Sequence, residues 1–251
     1  MKKILIIGSN FGSRNYLKAI NKLYKKKIIH ICSPNIYKKN IDRNLIKHHN
    51  YNYLINNNNY DLIICATTPK VQYQFISKFI LTNKKKTRLM LEKPLAHNSK
   101  SIFKIYHKLI NKKIIFNQNF IFPKIKEWED YNVRVKKNET KNIIYQWYFE
   151  QAYFKNYNKT WKIDVNEGGG LILFYMSHII FNILLIDENL KFEKIISYKK
   201  SKKYLTQINL ILSSKKTLCQ LEVDIKSKKR LHHFFCFNEK NYFSLKNQSN
   251  S

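Results

Sequence analysis

The sequence predicts an α/β protein in two parts. Residues 1–120 are expected to form a doubly wound parallel sheet, and residues 121–251 an α+β domain with an open, mostly antiparallel sheet. In the first part, short apolar runs alternate with amphipathic segments, as in βαβ units. In the second part, longer strand-like runs are separated by short polar turns. The pattern of apolar runs changes near residues 120–123, and we therefore place the predicted domain boundary there.

Five apolar runs of the first part predict strands that are buried on both faces. They are residues 4–7, 28–32, 62–66, 89–91 and 114–116. Helical spacing of apolar residues predicts helices over residues 17–24, 71–80 and 98–109, and Asn98 is placed to cap the last of these. The Asn-rich stretch 51–60 does not decide between strand and helix.

The second part is predicted to be mainly strands, with a helix at residues 171–186 and an amphipathic segment at 124–131. The predicted strands are residues 142–149, 192–199, 204–212, 217–225, 231–237 and 242–245. The sequence shows no internal repeat.

The chain has 251 residues, enough for a substantial core, and a formal net charge of +31. Its cations are scattered in short runs without an aromatic-interleaved stripe. This pattern favours a generally lysine-rich composition over a nucleic-acid surface, while the charge still attracts anionic ligands. The 4 cysteines lack CxxC spacing, and no signal peptide or membrane-spanning run is visible. We therefore expect a cytoplasmic protein.

The 5 glycines of the chain are confined to two places, a loop near the N-terminus and a triplet at residues 168–170. Gly8 and Gly12 follow the first strand and precede a helix. In a Rossmann fold, this is where backbone N–H groups bind the pyrophosphate of a dinucleotide. Compared with GxGxxG, either Asn10 and Ser13 replace the second and third glycines, or the loop is one residue shorter and Gly12 is the third.

Ser33 ends the second predicted strand, about twenty residues past the loop, where an acidic residue would hold the ribose 2′-hydroxyl of NAD. Ser33 has no charge, and Arg14, Lys38 and Lys39 are basic residues nearby in the sequence. The sequence therefore favours NADP over NAD.

Two further motifs carry reactive side chains. Glu92-Lys93-Pro94 follows a predicted strand, and the carboxyl ends of parallel strands face the ligand crevice. The glycine triplet 168–170 is followed by His178 in a mostly apolar helix, where a histidine standing alone would be a core residue more often than a functional one.

The order of these segments resembles the glucose-fructose oxidoreductase, inositol dehydrogenase and rhizopine catabolism (Gfo/Idh/MocA) family. The resemblance spans residues 4 to about 186. Its elements are the glycine loop, Ala66-Thr67-Thr68-Pro69, Leu91-Glu92-Lys93-Pro94-Leu95, Trp161, and the glycine triplet with His178.

The resemblance implies an NAD(P)-dependent oxidoreductase that acts on a hydroxyl or carbonyl of a sugar or nucleotide-sugar. The chain resembles the variant members of the family that take part in surface-polysaccharide biosynthesis. The resemblance also implies a cofactor domain at residues 1–120, a substrate-binding and oligomerisation domain at 121–251, and a homo-oligomer. From the composition, we expect no membrane partner and no nucleic-acid partner. Lys93 would polarise the carbinol, and His178 would move the proton. The implied cofactor-binding residues are Gly8, Ser9, Asn10, Phe11, Gly12, Ser33, Thr67, Thr68, Pro69, Glu92 and Lys93.

The chain departs from the family pattern at three positions. Many members have an acidic residue four positions before the histidine, where this chain has Phe174. Met176 replaces a frequent glycine, and Ile121 replaces a common arginine. Phe174, together with a second domain that is shorter than in typical members, motivates an alternative function, that of a catalytically weakened relative that binds cofactor or sugar as a sensor or scaffold.

Other polar and aromatic patterns are less specific. The pairs His48-His49 and His232-His233 have no cysteine or carboxylate at ligand spacing, so structural or surface roles are favoured and no metal site is expected. Four aromatic residues either line a sugar pocket or pack a strand, and the sequence does not decide between the two. They are Tyr145, Trp147, Tyr148 and Tyr153.

Overall fold

A computed structural model of the chain describes residues 1–34, 45–82, 84, 86–136, 141–156 and 160–246. Internal contacts divide the chain into two units. The first unit comprises Met1–Asn119 with the short segment Asn166–Gly168, and the second comprises Phe120–Val165 with Gly169–Ser251.

The first unit contains a six-stranded sheet in which every neighbouring pair is parallel. The strand order is β3-β2-β1-β4-β5-β6, the order of a doubly wound fold. The strands are β1 (Lys2–Ile7), β2 (Lys27–Cys32), β3 (Ile46–His48), β4 (Leu62–Cys65), β5 (Arg88–Leu91) and β6 (Phe116–Gln118).

In the described residues of this unit, four α-helices lie between the strands and bury their apolar faces on the sheet. They are α1 (Phe11–Leu23), α2 (Tyr51–Asn57), α3 (Pro69–Phe79) and α4 (Ser99–Asn111). The predicted cap of α4 is present, because the Asn98 side chain accepts a hydrogen bond from Ser101 N at 2.8 Å. The undecided stretch 51–60 begins with α2, whose Leu54 and Ile55 are buried.

The second unit contains a six-stranded sheet with the order β12-β11-β7-β10-β9-β8. All neighbours are antiparallel except β7 and β10, which are parallel. The strands are β7 (Lys141–Glu150), β8 (Lys191–Ser201), β9 (Tyr204–Ser213), β10 (Thr217–Asp224), β11 (Lys226–Phe237) and β12 (Tyr242–Lys246).

Helices α5 (Lys126–Lys136), α6 (Ala152–Asn156) and α7 (Ser177–Leu184) complete the second unit. Ile179 and Ile183 of α7 pack into one core with alternate side chains of the sheet, such as Tyr145 and Leu221. The predicted α/β fold class, with one parallel sheet and one mostly antiparallel sheet, is confirmed.

Two predicted elements differ in the structure. The strand predicted at residues 114–116 begins only at Phe116, because Ile114 N donates instead to Leu109 O at the end of α4, at 3.0 Å. The helix predicted over residues 171–186 has two parts, since Leu171–Met176 is a π-helix and only Ser177–Leu184 is α-helical. Within the part of the chain that the structure describes, no helix is long and apolar enough to cross a membrane.

Candidate functional site

The N-terminal glycine loop requires glycine at its first position. Gly8 has φ +111°, and a Cβ there would collide with the backbone oxygen of Ala66. Its N–H donates to Cys32 O at 2.7 Å, which ties the loop to the end of β2. The loop is Gly8-Ser9-Asn10, and Phe11 and Gly12 already belong to the first turn of α1.

Asn10 does not need the left-handed conformation that the comparison with GxGxxG suggested. Its φ is −96°, in the extended region, and it stands at the N-cap of α1. The first turn of α1 contains no acidic residue, and Arg14 adds a cation. A helix N-terminus of this kind fits a phosphate group.

Ser33 directly follows β2 and is joined to the loop through its side chain. The Ser9 hydroxyl, on a buried residue, donates to Ser33 Oγ at 2.9 Å. Of the basic residues predicted near Ser33, Arg14 lies in α1, while Lys38 and Lys39 lie outside the described residues.

Thr67, Thr68 and Pro69 connect β4 to α3. Thr68 is the N-cap of α3 and Pro69 its first residue, a position where a missing N–H costs nothing. Thr67 Oγ1 lies 3.4 Å from Cys65 Sγ and donates to Thr68 O at 3.3 Å. The segment is therefore a short, internally bonded turn at the end of a buried strand.

The backbone of the Glu92-Lys93-Pro94 turn is hydrogen-bonded by one buried side-chain amide, that of Gln72. Gln72 of α3 is fully buried, and its Nε2 donates to the carbonyls of Glu92, Pro94 and Leu95 at 2.7, 3.2 and 3.2 Å. Its Oε1 accepts from Glu92 N at 2.8 Å. Lys93 within the turn is 7% exposed, and the Lys93–Pro94 bond is cis.

The side chain of Glu92 is bonded to two residues from distant parts of the first unit. Tyr16 of α1 donates to Glu92 Oε1 at 2.6 Å, and Asn119 Nδ2 donates to Tyr16 OH at 2.8 Å and to Glu92 Oε1 at 3.4 Å. Burial and the bond to Glu92 raise the pKa of Tyr16, so its hydroxyl stays a donor.

These segments meet at one edge of the parallel sheet. The register aligns Ile7 with Cys32 and Cys65, and Cys65 with Leu91. The residues that follow these strand ends are the glycine loop, Ser33, the Thr67 turn and the Glu92 turn. The structure therefore brings together every predicted cofactor-binding segment of the first unit at the edge where doubly wound folds bind ligands.

The backbone at the glycine triplet leaves no room for a side chain at any of the three positions. Gly168 and Gly170 both have φ +86°. A Cβ on Gly168 would lie 2.7 Å from Pro69 Cβ, and one on Gly170 would lie 2.7 Å from Val165 Cγ1. Gly169 donates to Asp164 O at 2.8 Å, and a Cβ there would collide with Trp161 O.

His178 lies in the first turn of α7, in the second unit, between aromatic rings. Its ring centroid is 5.0 Å from that of Phe122 and 6.0 Å from that of Phe120. Phe174, at the position of the missing acid, packs edge-on against Trp161 at 5.1 Å. The Lys162 ammonium lies 5.6 Å from the Phe174 ring centre.

Sequence reasoning gave His232 a structural or surface role, and the structure places it in the aromatic cluster next to His178. Its ring is 5.3 Å from Phe122 and 5.2 Å from Trp147. The Tyr145 hydroxyl is 2.6 Å from His232 Nε2, and burial raises the pKa of Tyr145, so the hydroxyl keeps its proton. Burial, with a smaller effect of His233, lowers the pKa of His232 to about 4.

The four aromatic residues considered for a sugar pocket do not come together. Tyr145 is fully buried in the core, and Tyr148 lies on the opposite face of β7, where its hydroxyl accepts from Gln146. Tyr153 packs against Tyr204 at 5.8 Å. Trp147 is partly exposed, and its ring packs against His232 at 5.2 Å.

The first histidine pair likewise has local partners. His48 Nε2 is 3.2 Å from Nδ1 of the buried His30, and the two rings are stacked. Among the residues that the structure describes, no group of three or more His, Cys, Asp or Glu side chains is arranged to hold a metal ion.

Tyr16, Gln72 and Asn119 are the residues of this site that sequence reasoning missed. They are 76, 20 and 27 residues from Glu92 in the chain. Gln72 had a sequence signal, because it is a polar residue on the apolar helix face of Ile76 and Ile80. Tyr16 and Asn119 had none, because each stands among other polar residues.

Comparison with known proteins identifies the class of the first unit. Residues 2–120 match the GFO_IDH_MocA family, described as an oxidoreductase family with an NAD-binding Rossmann fold. The resemblance drawn from the motifs is confirmed, and residues 2–120 are similar to the NAD-binding Rossmann domain of this oxidoreductase family. None of the curated proteins matches the chain in sequence.

Solved structures of similar fold extend over both units. The WlbA dehydrogenase from Bordetella pertussis, in complex with NADH and UDP-GlcNAcA, has a TM-score of 0.83 at 10% identity, covering 97% of this chain and 79% of that one. The WlbA (WbpB) dehydrogenase from Thermus thermophilus, with NAD and alpha-ketoglutarate, gives 0.72 at 12%, covering 99% and 84%. The MviM dehydrogenase from Clostridium difficile gives 0.74 at 15%, covering 98% and 77%.

Proposed function

We propose that the chain is an NAD(P)-dependent oxidoreductase that transfers a hydride between nicotinamide and a hydroxyl or carbonyl of a sugar or nucleotide-sugar. The observation that carries this proposal is the alignment of strand ends in the first unit. That alignment places the glycine loop, Ser33 and the Lys93 turn along one sheet edge. Cofactor and catalytic lysine would then share the crevice above that edge.

The residues at this edge fit a dinucleotide. Gly8 lets the loop pack against the backbone of Ala66, α1 has no acidic residue in its first turn, and Arg14 adds positive charge. Ser9, Asn10 and the N–H groups of the first turn would hold the pyrophosphate, and Thr67 to Pro69 would border the nicotinamide half. When bound, the nicotinamide supplies the hydride acceptor or donor.

Lys93 and His178 would provide the acid–base chemistry. The Lys93 ammonium hydrogen-bonds the substrate oxygen and stabilises the negative charge that develops as the carbinol loses its proton. His178 takes or returns that proton, because an imidazole changes protonation near neutral pH. The aromatic rings of Phe120 and Phe122 pack against the imidazole, with ring centres 6.0 and 5.0 Å away.

The substrate class we infer is a nucleotide-sugar, with a role in surface-polysaccharide biosynthesis. Two observations support it. The WlbA dehydrogenase of B. pertussis, whose fold is similar, binds UDP-GlcNAcA, and the net charge of +31 favours an anionic diphosphate substrate. The free, buried thiols of all 4 cysteines support a reducing compartment, such as the cytoplasm.

The function is tested by replacing Lys93. In Lys93→Ala, titration of the intrinsic fluorescence with NADH and NADPH should give dissociation constants close to those of the parent. Turnover of UDP-GlcNAcA, within a panel of UDP-sugars, should fall about a hundredfold or more, because a charge-stabilising donor is lost. Lys100→Ala, on the exposed start of α4, is the matched control and should turn over normally. Unchanged turnover in Lys93→Ala would mean that Lys93 is misassigned.

Cofactor choice depends on Ser33. We expect NADPH to bind more tightly than NADH, because no carboxylate stands at the end of β2. Ser33→Asp should weaken NADPH binding about tenfold or more, about 1.4 kcal/mol, by repulsion of the 2′-phosphate, with a smaller effect on NADH. Ser99→Asp adds the same charge to the exposed first residue of α4 and should leave both affinities unchanged. Equal or tighter NADH binding by the parent chain contradicts the NADP preference.

The alternative function, cofactor or sugar binding without catalysis, is favoured by Phe174. Its ring is part of an aromatic contact with Trp161, so the position carries no acid to assist His178. The panel of UDP-sugars separates the two functions. Hydride transfer to or from any of these compounds would eliminate the sensor or scaffold role.

A homo-oligomer is part of the same proposal. It is supported by the exposed apolar side chains of β8, which include Phe192 and Tyr198.

A further inference from the structure

The backbone and the side chain of Glu92 are hydrogen-bonded by different residues. Its backbone is bonded by the buried Gln72 amide, and its carboxylate by Tyr16 and Asn119. These three partners come from α3, from α1 and from the residue after β6. The turn that carries Lys93 is therefore attached to three separate elements of the first unit.

The hydrogen bonds at the Glu92 side chain form a chain of donors that ends at its carboxylate. Asn119 Nδ2 donates to Tyr16 OH at 2.8 Å, and Tyr16 OH donates to Glu92 Oε1 at 2.6 Å. Asn119 also donates to the same oxygen at 3.4 Å, which closes the ring of three groups. The short Tyr16 bond is a charge-assisted one, and such bonds fix geometry more strongly than neutral ones.

Tyr16 is also placed to connect the glycine loop with the Glu92-Lys93-Pro94 turn. It lies in the second turn of α1, the helix whose first turn follows the glycine loop. Lys93 is the next residue after Glu92 and is almost fully buried, so small shifts of the turn change where its ammonium lies. A misplacement of about 1 Å at a reacting group lowers catalysis substantially.

We propose that Tyr16 and Asn119 are positioning residues for Lys93, acting through the carboxylate of Glu92. This inference rests on the proposed function for its effect on turnover, but not for its effect on Lys93 itself. Tyr16→Phe removes only the hydroxyl, and Asn119→Asp replaces the donating amide with an acceptor of the same shape. Both changes break the ring of hydrogen bonds and leave Gln72 in place.

The first measurement needs no substrate. The protein is treated with a limiting amount of trinitrobenzenesulfonate, and the modification of Lys93 is measured by peptide mass spectrometry relative to Lys100 and Lys104 of α4. We expect modification of Lys93 to rise about fivefold or more in Tyr16→Phe and Asn119→Asp. Tyr106→Phe on α4 and Asn117→Asp on β6 make the same chemical changes at exposed positions and should match the parent chain.

The second measurement separates positioning from general damage. With NADPH and the UDP-sugar that the parent chain turns over, kcat should fall about tenfold or more in both variants. KM and the dissociation constant for NADPH should stay within about twofold, because only the placement of Lys93 changes. The two control variants should keep the parent kcat.

Each outcome decides the proposal. It is overturned if Lys93 reactivity does not change in the two variants, whatever happens to turnover. It is also overturned if reactivity rises while kcat stays at the parent value, since the network is then merely structural. If the parent chain has no turnover, the proposed function fails instead. The reactivity of Lys93 then still shows whether the network holds the turn.

Discussion

His232 makes the second unit sensitive to acid, as a buried histidine with a lowered pKa must. Its folded-state pKa is about 4, because burial disfavours the imidazolium, while an unfolded histidine titrates near 6.5. The stability that depends on neutral His232 is therefore complete above pH 6.5. It is lost as the pH falls toward 4, where the unfolded chain binds the extra proton.

We expect the free energy of unfolding to fall by about 2–3 kcal/mol between pH 7 and pH 4 from this residue. Urea unfolding, followed by tryptophan fluorescence at several pH values, measures the loss. His232→Gln keeps a hydrogen-bonding group for the Tyr145 hydroxyl but cannot titrate, so its unfolding free energy should depend less on pH. His233→Gln, on the other face of β11, is the control and should keep most of the parent slope. The same slope in both variants would contradict the role of His232.

Single residues differ in how far the sequence reveals them. Lys93 and His178 could be found because each is part of a local motif with a fixed spacing. Tyr16 and Asn119 could not, because their shared partner Glu92 is distant in the chain and only the fold brings the three together. The role of a buried polar residue is set by its partners, which a single sequence does not show.

At the scale of elements, apolar runs predicted the parallel strands because a strand buried on both faces needs continuous apolar residues. The predicted bounds were wrong at β6, which begins at Phe116 because Ile114 is hydrogen-bonded to Leu109 at the end of α4. The prediction also failed to find the π-helix at Leu171–Met176, since apolar side chains satisfy α and π spacing equally well over six residues. The hydrogen-bond pattern of a short helix is decided by packing rather than by composition.

The turn between β8 and β9 offers a test at this scale. Lys202 has φ +54°, a left-handed conformation that costs a lysine about 1 kcal/mol and that asparagine tolerates better. We expect Lys202→Asn to stabilise the chain by about 0.5 kcal/mol and to raise Tm by about 1–2 °C. Thermal unfolding followed by circular dichroism measures this shift.

Lys203→Asn removes the same charge from the next residue of that turn, which has no positive φ. If both variants raise Tm equally, relief of charge repulsion and not backbone conformation is the cause. A lower Tm for Lys202→Asn alone would contradict the interpretation of the turn.

At the scale of the whole molecule, the dominant quantity is the net charge of +31. In the described part of the chain the structure shows two ion pairs, Lys2–Asp61 and Lys70–Glu167, and both are largely exposed. Such pairs contribute little to stability. Most cations are therefore not neutralised within the chain, and long-range repulsion opposes any association of two copies at low salt.

Strand β8 is the surface at which this repulsion competes with apolar burial. It is an edge strand, all of Lys191–Lys200 is exposed, and Phe192 and Tyr198 are 62% and 58% exposed. An edge of this length with large apolar side chains is a template for pairing with a second strand. Because the same strand carries lysines between its apolar residues, we expect self-association through β8 that strengthens as salt screens the lysines.

Size-exclusion chromatography with light scattering should give a mass that is a multiple of 30.3 kDa, with more of the larger species at about 0.3 M salt than at about 0.05 M. Replacing both Phe192 and Tyr198 with serine should shift the chain to 30.3 kDa at either salt concentration. Phe103→Ser, which removes an exposed ring from α4, should keep the mass of the parent chain. A parent chain of 30.3 kDa at every salt and protein concentration contradicts the oligomer. An association that weakens with salt would instead indicate that ionic contacts, and not the apolar side chains of β8, hold the copies together.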